Sequence, residues 1–171
     1  MDGTDGHEAG AALWLDEEQQ AAWRAVVQLC MKLPATLESD LQRTAGLTLY
    51  EYVVLALLSE SDAQTLQMSE LAAGTYASLS RLSHVVSRLE KRGWVTRQVC
   101  RNDGRATQAV LTESGLAKVV DAAPSHVRAV RAFVVDAITP TQLRQLGTAA
   151  AKIGQRIQEG NTTRAAPANR R

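Results

Sequence analysis

Residues 78–105 read SLSRLSHVVSRLEKRGWVTRQVCRNDGR and contain the clearest structural signals in the chain. The first part of this stretch, about residues 78–92, has the spacing of apolar side chains that a two-faced helix requires. Gly93 follows as a helix-ending residue, because glycine takes the left-handed conformation without strain. A segment of strand-forming composition and a tight basic turn come next, so the stretch predicts a helix followed by a β-hairpin.

The predicted helix has two chemically different faces. The apolar face, which should be buried in a core, consists of Leu79, Leu82, Val85, Val86 and Leu89. The opposite face contains no acidic residue and consists of Ser80, Arg81, His84, Ser87, Arg88 and Lys91. Hydroxyls, cations and an imidazole donate hydrogen bonds to guanine and to phosphate, so this face is predicted to bind DNA. The alternative is an ordinary solvated helix, although such a face usually alternates its charge signs.

The predicted hairpin has one strand over residues 94–99, a weaker strand over residues 106–111, and the turn signal Asn102-Asp103-Gly104 between them. Its tip carries Arg101 and Arg105. An arginine on a thin ribbon fits a minor groove, where A·T-rich DNA has an enhanced negative potential. Asp103 would repel phosphate, so it is predicted to orient a neighbouring arginine or to cap the turn. Taken alone, the hairpin is equally compatible with an exposed loop that binds nothing.

Charge is concentrated in this part of the chain. The 171 residues have a net charge of +1, yet residues 77–105 contain seven cations and two anions and are therefore +5. A focused basic face suits a protein that reads nucleic acid. The alternative from another class is a helical interaction module whose basic face binds polyanions without sequence specificity.

The composition favours a mainly α fold in the cytosol. Apolar residues make up 45% of the chain but aromatic residues only 4%, so the core should consist of Leu, Val and Ala, which suits helices. There is no run of about eighteen apolar residues that could span a membrane, and the acidic N-terminus lacks a signal-peptide core. Cys30 and Cys100 are then expected to be reduced thiols.

Enzyme chemistry is not indicated. The chain has no glycine-rich phosphate loop and no nucleophile elbow. His7, His84 and His126 lie far apart and do not have the spacing of metal ligands. We therefore expect no catalytic residue, no metal and no cofactor.

Cap and breaker residues organise the rest of the chain. Residues 1–13 and 161–171 are predicted to be flexible, residues 46–112 to form a winged helix-turn-helix, and residues 14–45 with 113–160 to form a helical dimerisation region. Pro34 should bend or interrupt the first helix, and Gly160 should stop the last helix, which reaches about Gln158. The flanking helices carry more apolar surface than the winged part can cover. This predicts a homodimer on a palindromic DNA site.

Four segments resemble the MarR family of winged-helix transcription factors: LTLYEYVVL (47–55), MSELA (68–72), SRLSHVVSRLEKRGWV (80–95), and DGR (103–105) followed by VLTESG (110–115). The resemblance covers about residues 14–158. It implies a dimer that binds a palindromic operator, usually to repress, and that is released by a small, often aromatic effector or by cysteine oxidation. His84, Ser87 and Trp94 depart from the residues that are common in relatives.

Two sets of candidate residues follow. The candidates for DNA contacts are Ser78, Ser80, Arg81, Ser83, His84, Arg88, Arg101, Asp103 and Arg105. In the family the effector pocket lies between the dimer helices and the winged part, and its candidates here are Trp14, Trp23, Arg24, Cys30 and Tyr50. The tryptophans could instead be core or interface residues. Redox sensing through Cys30 or Cys100 is an alternative mode of regulation, and inert roles in packing are the alternative to that.

Overall fold

The computed structural model describes residues 14–100 and 103–165, and for residues 103–105 and 162–165 the description is confined to the backbone. Six α-helices and three strands follow one another in this part of the chain. In chain order they are α1 (Glu17–Ala45), α2 (Leu49–Glu60), β1 (Thr65–Gln67), α3 (Met68–Gly74), α4 (Leu79–Lys91), β2 (Val95–Cys100), β3 (Asp103–Leu111), α5 (Glu113–Val130) and α6 (Pro140–Ala165). A 3₁₀ turn precedes β1, and a π-helical segment, Arg131–Val135, follows α5. The chain divides into two compact units, one ending at His126 and the other beginning at Val127.

Side-chain caps start most of the helices. The oxygens of Asp16, Thr48, Ser78, Thr112 and Thr139 each accept the backbone N–H three residues ahead, at 2.8–3.3 Å. These contacts satisfy N–H groups that have no partner inside the helix. Gly93, with φ 73°, follows α4 in the left-handed conformation, as the sequence predicts. Local sequence therefore fixes where the helices of the winged part begin and end.

The strands form one small antiparallel sheet in the order β1-β3-β2. Val95 pairs with Leu111 at the base of the β2–β3 hairpin, and Thr65 of β1 pairs with Val110 on the other side of β3. The fold is therefore a helix-turn-helix, α3 and α4, followed by a hairpin whose second strand also pairs with β1. This confirms the predicted mainly α, winged helix-turn-helix fold.

The core of the first unit is aliphatic. The apolar face of α4 is buried against α2, α3 and the sheet; its members are Leu82, Val85, Val86 and Leu89. Leu79 was predicted to belong to this face but is 56% exposed. Leu79 lies in the first turn of α4, which extends past the core. Helical periodicity alone therefore predicted one buried residue too many on this face.

Two sequence-based boundaries were wrong, and a third was excluded in part. Pro34 does not interrupt its helix but lies inside the continuous 29-residue α1, because proline removes only one helical hydrogen bond and the rest of a long helix offsets that cost. Helix α6 passes Gly160 and ends at Ala165, since a glycine weakens a helix by only about 1 kcal/mol. Asp103 and Gly104 belong to β3 rather than to a turn, since the antiparallel pairing of β3 with β2 reaches Asp103, opposite Cys100. Residues 101–102 lie outside the described residues, as do residues 1–13 and 166–171.

No described helix is long and apolar enough to cross a membrane.

His126 makes the stability of the first unit depend on pH. Its ring lies 4.3 Å from the ring of Tyr52, and its Nδ1 is buried without a hydrogen-bond partner among the described residues. Burial lowers the pKa of His126 below its ordinary 6.5, and the opposing charge of Asp40 does not offset this. The folded protein therefore keeps His126 neutral at a pH where the unfolded chain already binds a proton.

We expect the free energy of unfolding to fall as the pH drops below about 6.5, by at most about 1.4 kcal/mol per pH unit for this one proton. Urea unfolding at a series of pH values measures the slope. In His126→Gln the slope in this range should flatten, whereas His84→Gln, at an exposed position, should retain it. Equal slopes in the protein and in His126→Gln would contradict the assignment.

Candidate nucleic-acid interface

The polar face of α4 opens onto a groove of about 480 Å³ in the first unit. The groove brings together five of the predicted DNA-contacting residues: Ser78, Ser80, Arg81, His84 and Arg88. Thr48, Tyr50, Val85 and one acid, Glu38, complete its lining. The groove therefore presents hydroxyls, an imidazole and two guanidinium groups along one exposed side of a helix, a set that fits bases and phosphates.

Arg81 is oriented by an aromatic ring. Its guanidinium lies over the ring of Tyr50, 5.1 Å from the centroid, which is a cation–π arrangement. The Tyr50 hydroxyl donates to Thr75 Oγ1 at 2.8 Å, and the Thr75 hydroxyl in turn lies 2.8 Å from the Leu71 carbonyl. Tyr50, predicted as an effector residue, thus supports a DNA-contact candidate.

Arg88 is held by a buried carboxylate. Glu51 is only 2% exposed, and its Oε1 accepts from Arg88 Nε at 3.1 Å, while its Oε2 lies 3.7 Å from Arg92 Nη1. Burial raises the pKa of Glu51, but the hydrogen bonds from the Thr48 N–H and from Arg88, with the charges of Arg92 and Arg88, outweigh it and lower the pKa below 4.5. Glu51 is therefore ionised at neutral pH. Glu51 was not among the candidate site residues that the sequence indicated.

Arg97 of β2 attaches the hairpin to α4. Its Nη2 donates to the Ser83 carbonyl at 2.7 Å, to Ser83 Oγ at 3.3 Å and to Ser87 Oγ at 3.1 Å. Its Nη1 lies 3.3 Å from Glu90 Oε2, and its backbone N–H donates to Glu90 Oε1 at 3.0 Å. Ser83 and Ser87 therefore face the hairpin rather than the groove. The sequence does show two serines on the helix and an arginine on the next strand. Their spacing alone, however, did not predict that these side chains contact each other.

The hairpin tip is not part of this geometry. Arg101 lies outside the described residues, and Asp103 and Arg105 are placed by their backbone only, in β3. A second groove, of about 460 Å³, separates α4 from β3; it is lined by Gln67, Met68, Ser69, Leu79, Ser83, Arg97, Ala106 and Thr107.

The structure does not bring the other effector candidates into a cavity with Tyr50. Trp14 and Trp23 are 82% and 55% exposed, and Cys30 is exposed as well. Arg24 donates from Nε to the Gln20 carbonyl of its own helix at 3.3 Å. Cys100 is buried, with its Sγ 3.6 Å from Gln108 Oε1. No cluster of His, Cys, Asp and Glu that could hold a metal occurs among the described residues.

Comparisons with known proteins identify the family. The model of the MarR family matches residues 47–107. Sco3205 from Streptomyces coelicolor, a MarR family transcriptional regulator solved in complex with DNA, is 40% identical, with a TM-score of 0.82 over 84% of this chain and 94% of its own. CouR from Rhodococcus jostii RHA1, solved with p-coumaroyl-CoA, is 25% identical, with a TM-score of 0.67 over 75% of this chain and 88% of its own.

A curated relative is more distant. The transcriptional repressor MprA of Escherichia coli K12 is 28% identical over 93 residues, and the match spans 53% of each chain, about half the length of that relative. Membership of the family is shown instead by Sco3205, because the 40% identity and the shared fold extend over 94% of that protein. The chain therefore belongs to the MarR family, whose members are transcriptional regulators and not enzymes.

Proposed function

We propose that this protein is a homodimeric repressor that binds a palindromic DNA operator through α4 and the β2–β3 hairpin. The observation that carries the proposal is the groove along α4, where five candidate DNA contacts share one exposed face. The second helix of a helix-turn-helix enters the major groove and presents its N-terminal residues to the base edges. The DNA complex of Sco3205 and the description of MprA as a repressor support the same function.

The proposed roles differ between residues. Arg81, His84 and Arg88 contact base edges or phosphates from the groove, and Ser78 and Ser80 contact phosphate near the start of α4. Ser83 acts indirectly, because it accepts hydrogen bonds from Arg97. On the hairpin, Arg101 and Arg105 are proposed to enter the minor groove, with Asp103 orienting a neighbouring arginine.

Arg81→Ala should weaken binding to the correct operator by about 1–3 kcal/mol more than binding to an operator with one guanine replaced, if Arg81 reads that guanine. Mobility-shift titrations on an operator selected from random duplexes measure the difference. The matched control is Arg128→Ala, an exposed arginine on α5 that is not among the residues lining the groove, which should change neither affinity. An equal loss on all duplexes would make Arg81 a phosphate contact, and no loss on any duplex would remove it from the interface.

The homodimer is supported by large apolar side chains that each unit leaves exposed. In the first unit they include Trp14, Leu15, Trp23, Val26, Leu29 and Met31; in the second, Val127, Phe133, Leu146, Ile153 and Ile157. Exposed apolar residues in such numbers mark association surfaces. Sedimentation should give twice the chain mass of 18.5 kDa, and selected operators should contain half-sites about 10 base pairs apart. A monomer that selects a single unrepeated site would contradict this part of the proposal.

We also propose that a small organic effector, aromatic in character, releases the protein from DNA. CouR, solved with p-coumaroyl-CoA, supports this mode of regulation. The candidate contacts remain Trp14, Trp23, Arg24, Cys30 and Tyr50, and a ligand beside either tryptophan should quench its fluorescence. Titrating aromatic acids and their thioesters into the operator complex tests the idea.

The salt dependence of binding tests the DNA specificity itself. A generic polyanion binder loses affinity for all duplexes equally as the salt concentration rises.

A further inference from the structure

Glu51 is a buried side chain whose negative charge is not needed for its role in the fold. It is the one buried ionisable carboxylate in the part of the chain that the structure describes. At the third position of α2 it completes a capping box with Thr48, and a neutral glutamine performs that role equally well. A buried charge is costly unless it is paired, so the charge of Glu51 must be explained by the arginines that it contacts.

The two arginines use Glu51 differently. Arg92 also donates to the Gly46 carbonyl at 3.2 Å and lies over the Trp94 ring at 5.0 Å, so it anchors the end of α4 within the fold. The side chain of Arg88 has no other hydrogen bond among the described residues; it gives its Nε to Glu51 and remains 52% exposed in the groove. With Nε fixed, the two terminal nitrogens of Arg88 form the outer edge of the guanidinium.

We propose that Glu51 is a positioning residue for base reading, which holds the Arg88 guanidinium so that its outer edge meets a guanine rather than a phosphate. This inference rests on the proposed DNA-binding function. A planar guanidinium recognises guanine O6 and N7 through two parallel hydrogen bonds, and a pre-oriented side chain loses less rotamer freedom on binding. Glu51 also offsets part of the positive charge of Arg88 and Arg92, which reduces attraction to phosphates of any sequence.

Glu51→Gln separates these effects with little change of shape. Glutamine replaces one carboxylate oxygen by an NH2 group, which is a donor and faces either the Thr48 N–H or the Arg88 Nε–H, so one of these two contacts is lost. The released Arg88 and the additional net positive charge should tighten binding to scrambled duplexes. The affinity ratio of the selected operator over a scrambled duplex should fall about tenfold, and the salt dependence on scrambled DNA should steepen.

The experiment compares the full-length protein with Glu51→Gln, Arg88→Ala and the double variant on operator and scrambled duplexes, between about 50 and 200 mM salt. The ratio should fall in each single variant and should fall no further in the double variant, because both changes remove one coupled interaction. Thr112→Ala is the stability control: it removes the cap of α5, whose Oγ1 accepts the Gly115 N–H at 3.0 Å, and should leave the ratio unchanged.

Failure of DNA specificity and failure of the positioning role give different results. If the unsubstituted protein does not prefer its selected operator, the proposed function itself fails. If the protein prefers it and Glu51→Gln retains the full ratio while folded, as measured by circular dichroism, the positioning role is wrong. Additive losses from Glu51→Gln and Arg88→Ala would also overturn it, because Glu51 would then act through something other than Arg88.

Discussion

Gly115→Ala should destabilise the protein by about 3 kcal/mol or more, because the added methyl group meets fixed backbone. A Cβ at Gly115 would lie well inside contact distance of the Trp94 carbonyl oxygen and 2.8 Å from Leu111 Cδ1. The Trp94 carbonyl cannot simply turn away, since it accepts the Thr112 N–H at 3.0 Å where the sheet leads into α5. Urea unfolding followed by circular dichroism measures the loss.

The chain provides matched controls for this substitution. Gly147 and Gly154 lie inside α6, and a Cβ at either position would have nothing within 4 Å. Gly147→Ala and Gly154→Ala should therefore be neutral or stabilise the protein by up to about 1 kcal/mol, as alanine does in a helix. A Gly115→Ala protein as stable as these two variants would contradict the close packing of α5 against the start of β2.

Arg97→Ala should lower the free energy of unfolding by about 2–3 kcal/mol and weaken operator binding about tenfold, because charge-assisted hydrogen bonds to a half-buried group are lost. Arg97 joins β2 to α4 through Ser83, Ser87 and Glu90, and its side chain is 29% exposed. Without it the hairpin loses its fixed position relative to the reading helix. Chemical unfolding and operator titration give the two values.

Arg97→Lys serves as the graded control for the Arg97 prediction. Lysine keeps the ion pair with Glu90 but lacks the planar fork that reaches Ser83 and Ser87 together. We expect it to recover part of the stability and less of the DNA affinity, since affinity depends on the orientation of the hairpin. If Arg97→Ala weakened binding by no more than Arg128→Ala, the hairpin would not need this attachment for DNA binding.

The sequence predicted the local structure closely where short-range chemistry decides it. The helix over about residues 78–92 and the left-handed Gly93 that follows it depend on residues within a few positions of each other, so spacing alone located them. The predicted winged fold was confirmed for the same reason. Predictions failed where a local cost was outweighed elsewhere, as when Pro34 and Gly160 continued their helices.

The candidate site was predicted as a face but not as a network. Helical periodicity placed Arg81, His84 and Arg88 together, and the groove along α4 contains all three. It also assigned Ser87 to that face, whereas the Ser87 hydroxyl accepts from Arg97 of β2. A helical wheel shows which residues share a side of a helix, but it does not show what packs against that side.

The order of helices and strands and the basic face of α4 can be derived from the sequence, because they follow from side-chain spacing and turn chemistry over a few residues. Which cations on that face are held, and by which groups, depends on the tertiary structure. Glu51 meets Arg88 across 37 positions of chain, and Arg97 meets Ser83 across 14. Contacts of this kind depend on how helices and strands pack in the core. No local pattern in the sequence records that packing.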